Sequence, residues 1–484
     1  MDPAPNALDS LRRPRSIAIV GASADGSKAG GVILAGLLSG TFPGPVWPVN
    51  PRHGSLLGRP CFPSLAALPS MPELVIVATP AAAAPDAVRE AAAVGARAVV
   101  VVASGFAEAG EEGRRIQDGM RDVARAAGMR LLGPNGLGVM DPRSGVDSFF
   151  IPAGRLGRPR PGPIAVLSQS GVFALAAVER LSHEGPGVSL ALSYGNRADL
   201  GESDALEALA DDPGTGAVAL VMESVDDGPR FLHAAARCAA LKPVVALKCG
   251  RGEAGAAAVR SHTGALAGRA AIYGAAFHRA GVVEARGLDD LLDGAKALAM
   301  QPPAPGRRLL VVTNGGGFGA ACADAAAAEG LDLPPVAGTA ATALRERLAS
   351  FASPRNPVDV TAVAADGDFG AVLDAAFVPA GSPFDAAIVS CLSAAPGITE
   401  GIARRIAVAG REAGRPVVAL HLGGARGVAI GRALESAGVP VYPTPERAVA
   451  AVRALVLRGE AVARTRVATR AGRRRAARHE AVLS

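Results

Sequence analysis

The chain has 484 residues, 49% of them hydrophobic, 19% charged and 4% aromatic. A chain of this length and apolar content folds into about three ordinary domains. With no apolar run near the ~20 residues of a membrane span, it is expected in the cytoplasm without membrane contact.

The net charge of +6 is carried by residues 464–484, which hold seven Arg and one Glu. The remainder is close to neutral and lacks basic patches interleaved with aromatics, which excludes nucleic acid as a partner. The N-terminus, with Asp2 and no apolar h-region, does not read as a signal peptide. The cysteines (Cys61, Cys238, Cys249, Cys322, Cys391) are scattered without CxxC spacing. Neither a zinc site nor a disulfide framework is expected, and no metal is assigned.

Along the chain, short apolar strands predicted over 16–20, 74–78, 98–102, 164–167, 217–222, 244–247, 309–312 and 386–389 alternate with Ala-rich helical stretches. This alternation predicts an α/β protein of three Rossmann-like or flavodoxin-like doubly wound domains with mostly parallel sheets. A Gly/Pro/Arg-rich segment at 153–163 and a Pro-rich one at 301–308 divide the chain into domains 1–150, 160–300 and 307–460. The basic tail 464–484 is expected to be solvated and partly disordered.

The first strand runs into Gly21-Ala22-Ser23-Ala24-Asp25-Gly26-Ser27-Lys28 and then a helical stretch. A Gly-rich strand-to-helix turn aims N–H groups and the positive helix end at phosphate, though glycines also serve tight packing. A dinucleotide site places a carboxylate about 20 residues on to hold the ribose. No carboxylate stands between Asp25 and Glu73, while Lys28, Arg52 and Arg59 do. That counts against NAD, and so against a Rossmann-type oxidoreductase, without excluding NADP. Walker A is absent, because Lys28 follows Ser27 rather than glycine.

Four motifs then occur in order: Gly21-Ala22-Ser23; Pro48-Val49-Asn50-Pro51; Ser104-Gly105-Phe106 with Glu108 and Gly110; and Gly133-Pro134-Asn135. Together they resemble the CoA-binding domain of ADP-forming acetyl-CoA synthetases, relatives of succinyl-CoA synthetase. The resemblance implies that Gly21, Ala22, Ser23 and Lys28 hold phosphates of coenzyme A. Asn50, Pro51, Ser104, Gly105, Phe106 and Asn135 would line the cofactor's path.

In the second domain, the strand at 164–167 leads into Ser168-Gln169-Ser170-Gly171 and a helix from about Val172. This is an ordinary cap or an anion site. Further on, His262 is expected in a loop of small residues, Ser261-His262-Thr263-Gly264-Ala265-Leu266-Ala267-Gly268. A neutral imidazole there is a competent nucleophile toward phosphorus. The segment resembles the phosphohistidine loop of the same family. By that resemblance Glu223, at the end of the strand at 217–222, is the carboxylate that orients His262, and Ser168, Gln169, Ser170 and Gly171 bind phosphate. Asn196 also matches the family pattern, with no role assigned.

The third domain carries Thr313-Asn314-Gly315-Gly316-Gly317-Phe318-Gly319 after a strand, and later Asn356-Pro357-Val358-Asp359. Consecutive glycines admit a phosphate close to the backbone or serve tight packing. The segment resembles the remaining ligase domain of the family, in which the phosphohistidine lies between two helix N-termini; Gly315, Gly316 and Gly317 would form the second.

The resemblance implies an α subunit of an acyl-CoA synthetase that uses coenzyme A, phosphate and a small carboxylic acid or acyl-CoA. A partner β subunit would supply an ATP-grasp domain for ADP/ATP with Mg²⁺. The competing expectation is a non-catalytic CoA-binding regulatory protein.

Overall fold

Runs such as Leu-Val-Ile-Val at 74–77 and Ala-Val-Val-Val at 98–101 are buried along their whole length. Strands covered on both faces have no polar alternation, as parallel sheets sandwiched between helices require. In a computed structural model, which describes residues 7–263, 269–422 and 424–483 (side chains of 259–263, 422 and 468–483 excepted), every predicted strand is present. The chain forms two compact units, residues 1–280 and 281–484.

The first unit holds two sheets. The first sheet is built from β1 (Ile17–Val20), β2 (Val46–Val49), β3 (Leu74–Val77), β4 (Ala98–Val101) and β5 (Arg130–Leu132). Their order is β2-β1-β3-β4-β5 with every pairing parallel, the flavodoxin-like doubly wound order. The crossover helices include α1 (Ala29–Ser39), α2 (Ala84–Ala93) and α3 (Glu111–Ala126). α2 buries Ala84, Ala87, Val88 and Ala91, a single stripe at helical spacing.

The second sheet contains β6 (Gly138–Asp141), β7 (Val146–Asp147), β8 (Pro161–Ser168), β9 (Val188–Ser193), β10 (Ala217–Met222) and β11 (Val244–Lys248). Within the unit they run β11-β10-β8-β9-β6-β7. The β8, β9, β10 and β11 pairings are parallel, and the β6–β7 hairpin adds antiparallel to β9. This hairpin lies in the segment 1–150 yet belongs to the second sheet. Main-chain bonds explain why the two sheets form one unit: Asn196, Ala198 and Leu200 N–H groups donate to the Pro134, Gly133 and Leu131 carbonyls at 2.9, 3.0 and 3.1 Å. A buried ion triad adds to them, with Arg12 2.9 Å from Asp141 and 3.1 Å from Asp212. The helices of this sheet are α4 (Gly171–His183), α5 (Glu202–Ala210), α6 (Gly228–Leu241), α7 (Glu253–Thr263) and α8 (Ala270–Ala280).

The second unit repeats the flavodoxin-like order. β12 (Leu309–Thr313), β13 (Val358–Asp359), β14 (Ala386–Leu392), β15 (Val417–Leu422) and β16 (Val441–Tyr442) run β13-β12-β14-β15-β16, all parallel. Phe369, Phe377 and Phe384 fill one side of this sheet's core. α9 (Leu288–Met300), which the sequence places in the segment 160–300, packs here. Its Lys296 donates to Val441 O at 2.6 Å and lies 4.6 Å from the Tyr442 ring centroid, while Asp293 pairs with Arg447 at 2.7 Å.

α10 (Gly316–Ala328) follows β12, and α11 (Pro445–Leu483) ends the unit. The tail at 464–484, expected as partly disordered, continues α11 as helix to Leu483. Its mixture of Ala and Arg has high helix propensity. No helix among the described residues is long and apolar enough to cross a membrane.

Candidate active site

At the carboxyl ends of β1 and β2 the sequence-predicted phosphate turn is assembled. Gly21 has φ +86°, and a Cβ there would lie 2.9 Å from Ala78 O, so only glycine lets the turn pass over β3. The Asn50 side chain donates to Ala22 O at 2.9 Å and accepts from Arg52 N at 3.0 Å, fixing Gly21–Ser23 against the Asn50-Pro51 corner. Ser23 Oγ accepts from Asp25 N, and Asp25 accepts from the Ser27 N–H and hydroxyl, which hold its carboxyl below the ordinary value. Lys28 is 69% exposed with its ammonium 3.7 Å from Asp25, free to turn toward an anion. Gly21, Ala22, Ser23, Lys28, Asn50 and Pro51 thus form one cluster.

A second cluster lines an open cavity of about 710 Å³ that joins the carboxyl ends of both sheets. Ser104 and Asn135 come from the first sheet; Gln169, Ser170, Gly171, Asn196, Arg197 and Glu223 come from the second. Ser170 is the N-cap of α4, but its side chain makes no capping bond among the described residues. Gly171 and Val172 of the first turn line the cavity, and Val172 is 75% exposed. Uncapped first-turn donors and the positive helix end favour an anion.

Some expected contacts are redirected. Phe106 is fully buried in the core of the first sheet and anchors its loop there, so its side chain does not line a cofactor path. Gly105, with φ +106°, gives its N–H to Glu108 Oε1 at 2.6 Å. Ser168 is also fully buried, with its hydroxyl donating to Ser170 O at 2.6 Å; it shapes the turn rather than meeting a ligand. Gln169 Oε1 accepts from the backbone N–H of both Glu223 (2.8 Å) and Ser224 (3.2 Å), so its oxygen clamps the Glu223 turn.

Glu223, 7% exposed, ends β10 on the cavity wall. Behind it lie residues the sequence reading missed. Arg197 donates to Ser224 O at 2.6 Å, to Ser224 Oγ at 2.9 Å and to Asp226 at 2.9 Å, with buried Glu202 at 3.6 Å. Lys248, 1% exposed, donates to Cys249 O and lies 4.8 Å from the Tyr273 ring centroid. Burial lowers the Lys248 ammonium, against the raising effect of Cys249 and Glu223. Burial, then the Glu223 carboxylate, pushes the Cys249 thiol up to about 11. A charged residue closing the wholly apolar run Val-Val-Ala-Leu was the sequence signal for Lys248.

The backbone of His262 belongs to the last turn of α7, not to a loop. The Ala-rich sequence preceding it carries the helix that far. Its side chain, and residues 264–268, lie outside the described residues.

In the second unit Gly315 is the N-cap of α10, its N–H donating to Thr313 Oγ1 at 3.0 Å. A Cβ on Gly316 would lie 2.9 Å from Asp359 Oδ2, whereas on Gly317 it would meet nothing within 4 Å among the described residues. The Asp359 carboxylate already stands at this helix end.

Comparison with known proteins follows the same division. Residues 15–142 match the CoA binding domain, and residues 161–298 match the succinyl-CoA ligase like flavodoxin domain. The chain is 35% identical over 456 residues to the acetate–CoA ligase (ADP-forming) I subunit alpha of Pyrococcus furiosus, covering 93% of this chain and 97% of that one.

The chain belongs to the family of ADP-forming acyl-CoA synthetase α subunits.

A family member in Archaeoglobus fulgidus, acetate–CoA ligase (ADP-forming) I, is 35% identical over 448 residues, covering 93% of this chain but 63% of that protein. Among solved structures, the Candidatus Korarchaeum cryptofilum dinucleotide-forming acetyl-coenzyme A synthetase 1, in complex with phosphate and ADP, matches with a TM-score of 0.84 and 34% identity. That match covers 94% of this chain and 97% of the other.

Proposed function

We propose that this synthetase α subunit interconverts acyl-CoA, ADP and phosphate with a carboxylic acid, CoA and ATP through an acyl phosphate and a phosphorylated His262. The observation that carries the reading is the cavity. It sets Ser104 and Asn135, from the CoA-binding half, opposite the uncapped first turn of α4 and the Glu223 carboxylate.

In the first step a phosphate oxygen attacks the thioester carbonyl, the C–S bond breaks and the thiolate leaves as CoA. The N–H groups of Gly171 and Val172 stabilise the incoming phosphate without a cation. The unprotonated imidazole nitrogen of His262 then attacks phosphorus, the P–O bond to the acyl oxygen breaks, and the carboxylate leaves. Glu223, clamped through Gln169, holds the other imidazole N–H and so fixes the tautomer that presents a lone pair. In the third step the N–P bond breaks as an ADP oxygen takes the phosphoryl group. ADP, with Mg²⁺, would be held by an ATP-grasp partner. The P. furiosus relative, which this chain covers to 97%, is named as a subunit alpha, and that supports a partner chain. Gly21–Ser23 with Lys28 would hold CoA phosphates, and acetate is the default acid.

The test is mass spectrometry of the purified chain incubated at neutral pH with phosphate and a panel of acyl-CoAs. The expected result is an added mass of about 80 Da, one phosphoryl group, on the His262 peptide, absent from His262→Ala, which should keep its CoA affinity. No label from any donor, even after an ATP-grasp partner and ATP are added, would instead favour the non-catalytic CoA-binding reading.

A further inference from the structure

The turn between β9 and α5 approaches Gly133–Asn135 more closely than side chains allow. A Cβ on Gly195 would lie 2.3 Å from Pro134 O and 2.4 Å from Asn135 O. Next to it, Asn196 sends its side chain into a polar cluster on the cavity wall. Its amide nitrogen donates to Glu108 Oε2 at 2.5 Å and to Gln117 Oε1 at 2.9 Å, and its oxygen accepts from Asn135 Nδ2 at 3.2 Å.

The two acceptors grip one loop. Glu108 Oε1 accepts from Gly105 N at 2.6 Å, and Gln117 Oε1 accepts from Ala107 N at 3.4 Å. The polarity of this cluster is fixed. Burial alone would raise the Glu108 carboxyl, but the Asn196 amide and the Gly105 N–H bring it below its ordinary value. As a carboxylate it only accepts, so the Asn196 nitrogen must face it.

We propose that Asn196 is a positioning residue for the acyl-transfer step. Through Glu108 and Gln117 it sets the Ser104–Ala107 loop at the distance from α4 that brings a CoA thioester onto the anion-binding turn. This rests on the function proposed above. It separates two ways of phosphorylating the chain. Acyl-CoA with phosphate needs the loop in register with α4, whereas acetyl phosphate arrives with its acyl C–O bond already formed and needs only α4 and His262.

The experiment compares both donors on the full-length chain, with its ATP-grasp partner present, reading the phosphoryl label on the His262 peptide against time. Asn196→Asp puts a second carboxylate against Glu108. Labelling from acyl-CoA should fall about 100-fold, the scale of a small misplacement of reacting groups, while labelling from acetyl phosphate stays within about threefold. Adding Glu108→Gln reverses the bond, its amide donating to the new carboxylate while its oxygen keeps Gly105 N. The double variant should recover to within about tenfold of wild type, the value of roughly one hydrogen bond.

Undiminished acyl-CoA labelling in Asn196→Asp, or equal loss from both donors without recovery in the double variant, overturns the positioning role alone. A wild-type chain labelled by neither donor overturns the functional reading and this proposal with it.

Discussion

Replacing Arg12 by methionine should loosen the first unit selectively. The Arg12 side chain is 4% exposed and lies between Asp141 (2%) and Asp212 (4%). Methionine keeps much of the volume but strands two buried carboxylates. Removing one partner of a buried ion network costs about 3–5 kcal/mol. Here each carboxylate retains other donors: Arg143 N and Ser144 N for Asp141, Thr215 Oγ1 and Gly214 N for Asp212. The expected loss is therefore at the low end, about 3 kcal/mol.

The chain's single tryptophan is Trp47, in β2 of the first unit. Its fluorescence in a urea titration therefore reports that unit. The midpoint should fall with little change in slope.

The pH dependence has a defined sign. Burial raises the Asp212 carboxyl, but Thr215 and Arg12 outweigh it and leave it below the ordinary value. Its stabilising contribution is thus complete above the unfolded value and is lost as pH falls through the lower folded value. The gap between wild type and variant should narrow only in acid. A shift under about 0.5 kcal/mol at neutral pH, the scale of ordinary surface changes, would show that the triad does not hold the N-terminal segment to the second sheet.

Glu223→Gln keeps the backbone N–H groups that Gln169 accepts, so folding should be unaffected. Phosphorylation of His262 should slow by about 10²–10⁴-fold, the usual contribution of a proton-handling group; an unchanged labelling rate removes Glu223 from the mechanism. Gly317→Ala meets open space among the described residues and should gain about 0.4–1 kcal/mol of stability, while Gly316→Ala must first displace Asp359 Oδ2 and should gain less. Equal melting temperatures by circular dichroism would contradict the packing described for this helix end. The Cys249 thiol, at about 11, is ionised to roughly one part in a thousand at pH 8. Peptide mapping after brief iodoacetamide treatment at that pH should find it unmodified, and rapid alkylation would contradict the raised thiol beside Glu223.

The strands were legible because runs such as Leu-Val-Ile-Val leave no other reading for a segment buried on both faces. The glycine turns were legible too, since Gly21 reflects a backbone demand that appears directly in the sequence. Partnerships across long separations were not. Arg12 meets Asp141 across 129 positions, and nothing local distinguishes it from Arg13, which is exposed. Direction was also hidden. Ser104-Gly105-Phe106 reads as three equivalent residues, yet the phenyl ring turns into the core while Ser104 faces the cavity. The β6–β7 hairpin lies within the first segment by chain position and was assigned to the other sheet only by its pairing with β9.

Part of the join between the two sheets of the first unit is made by main-chain bonds from Asn196, Ala198 and Leu200 to Pro134, Gly133 and Leu131. Such bonds use groups that every non-proline residue carries. These three bonds tolerate most substitutions at the residues that make them, but not a side chain that blocks the approach, as any Cβ at Gly195 would. Cavity-wall side chains that take no part in joining the halves, such as Val172, can therefore vary while this main-chain part of the join stays in place.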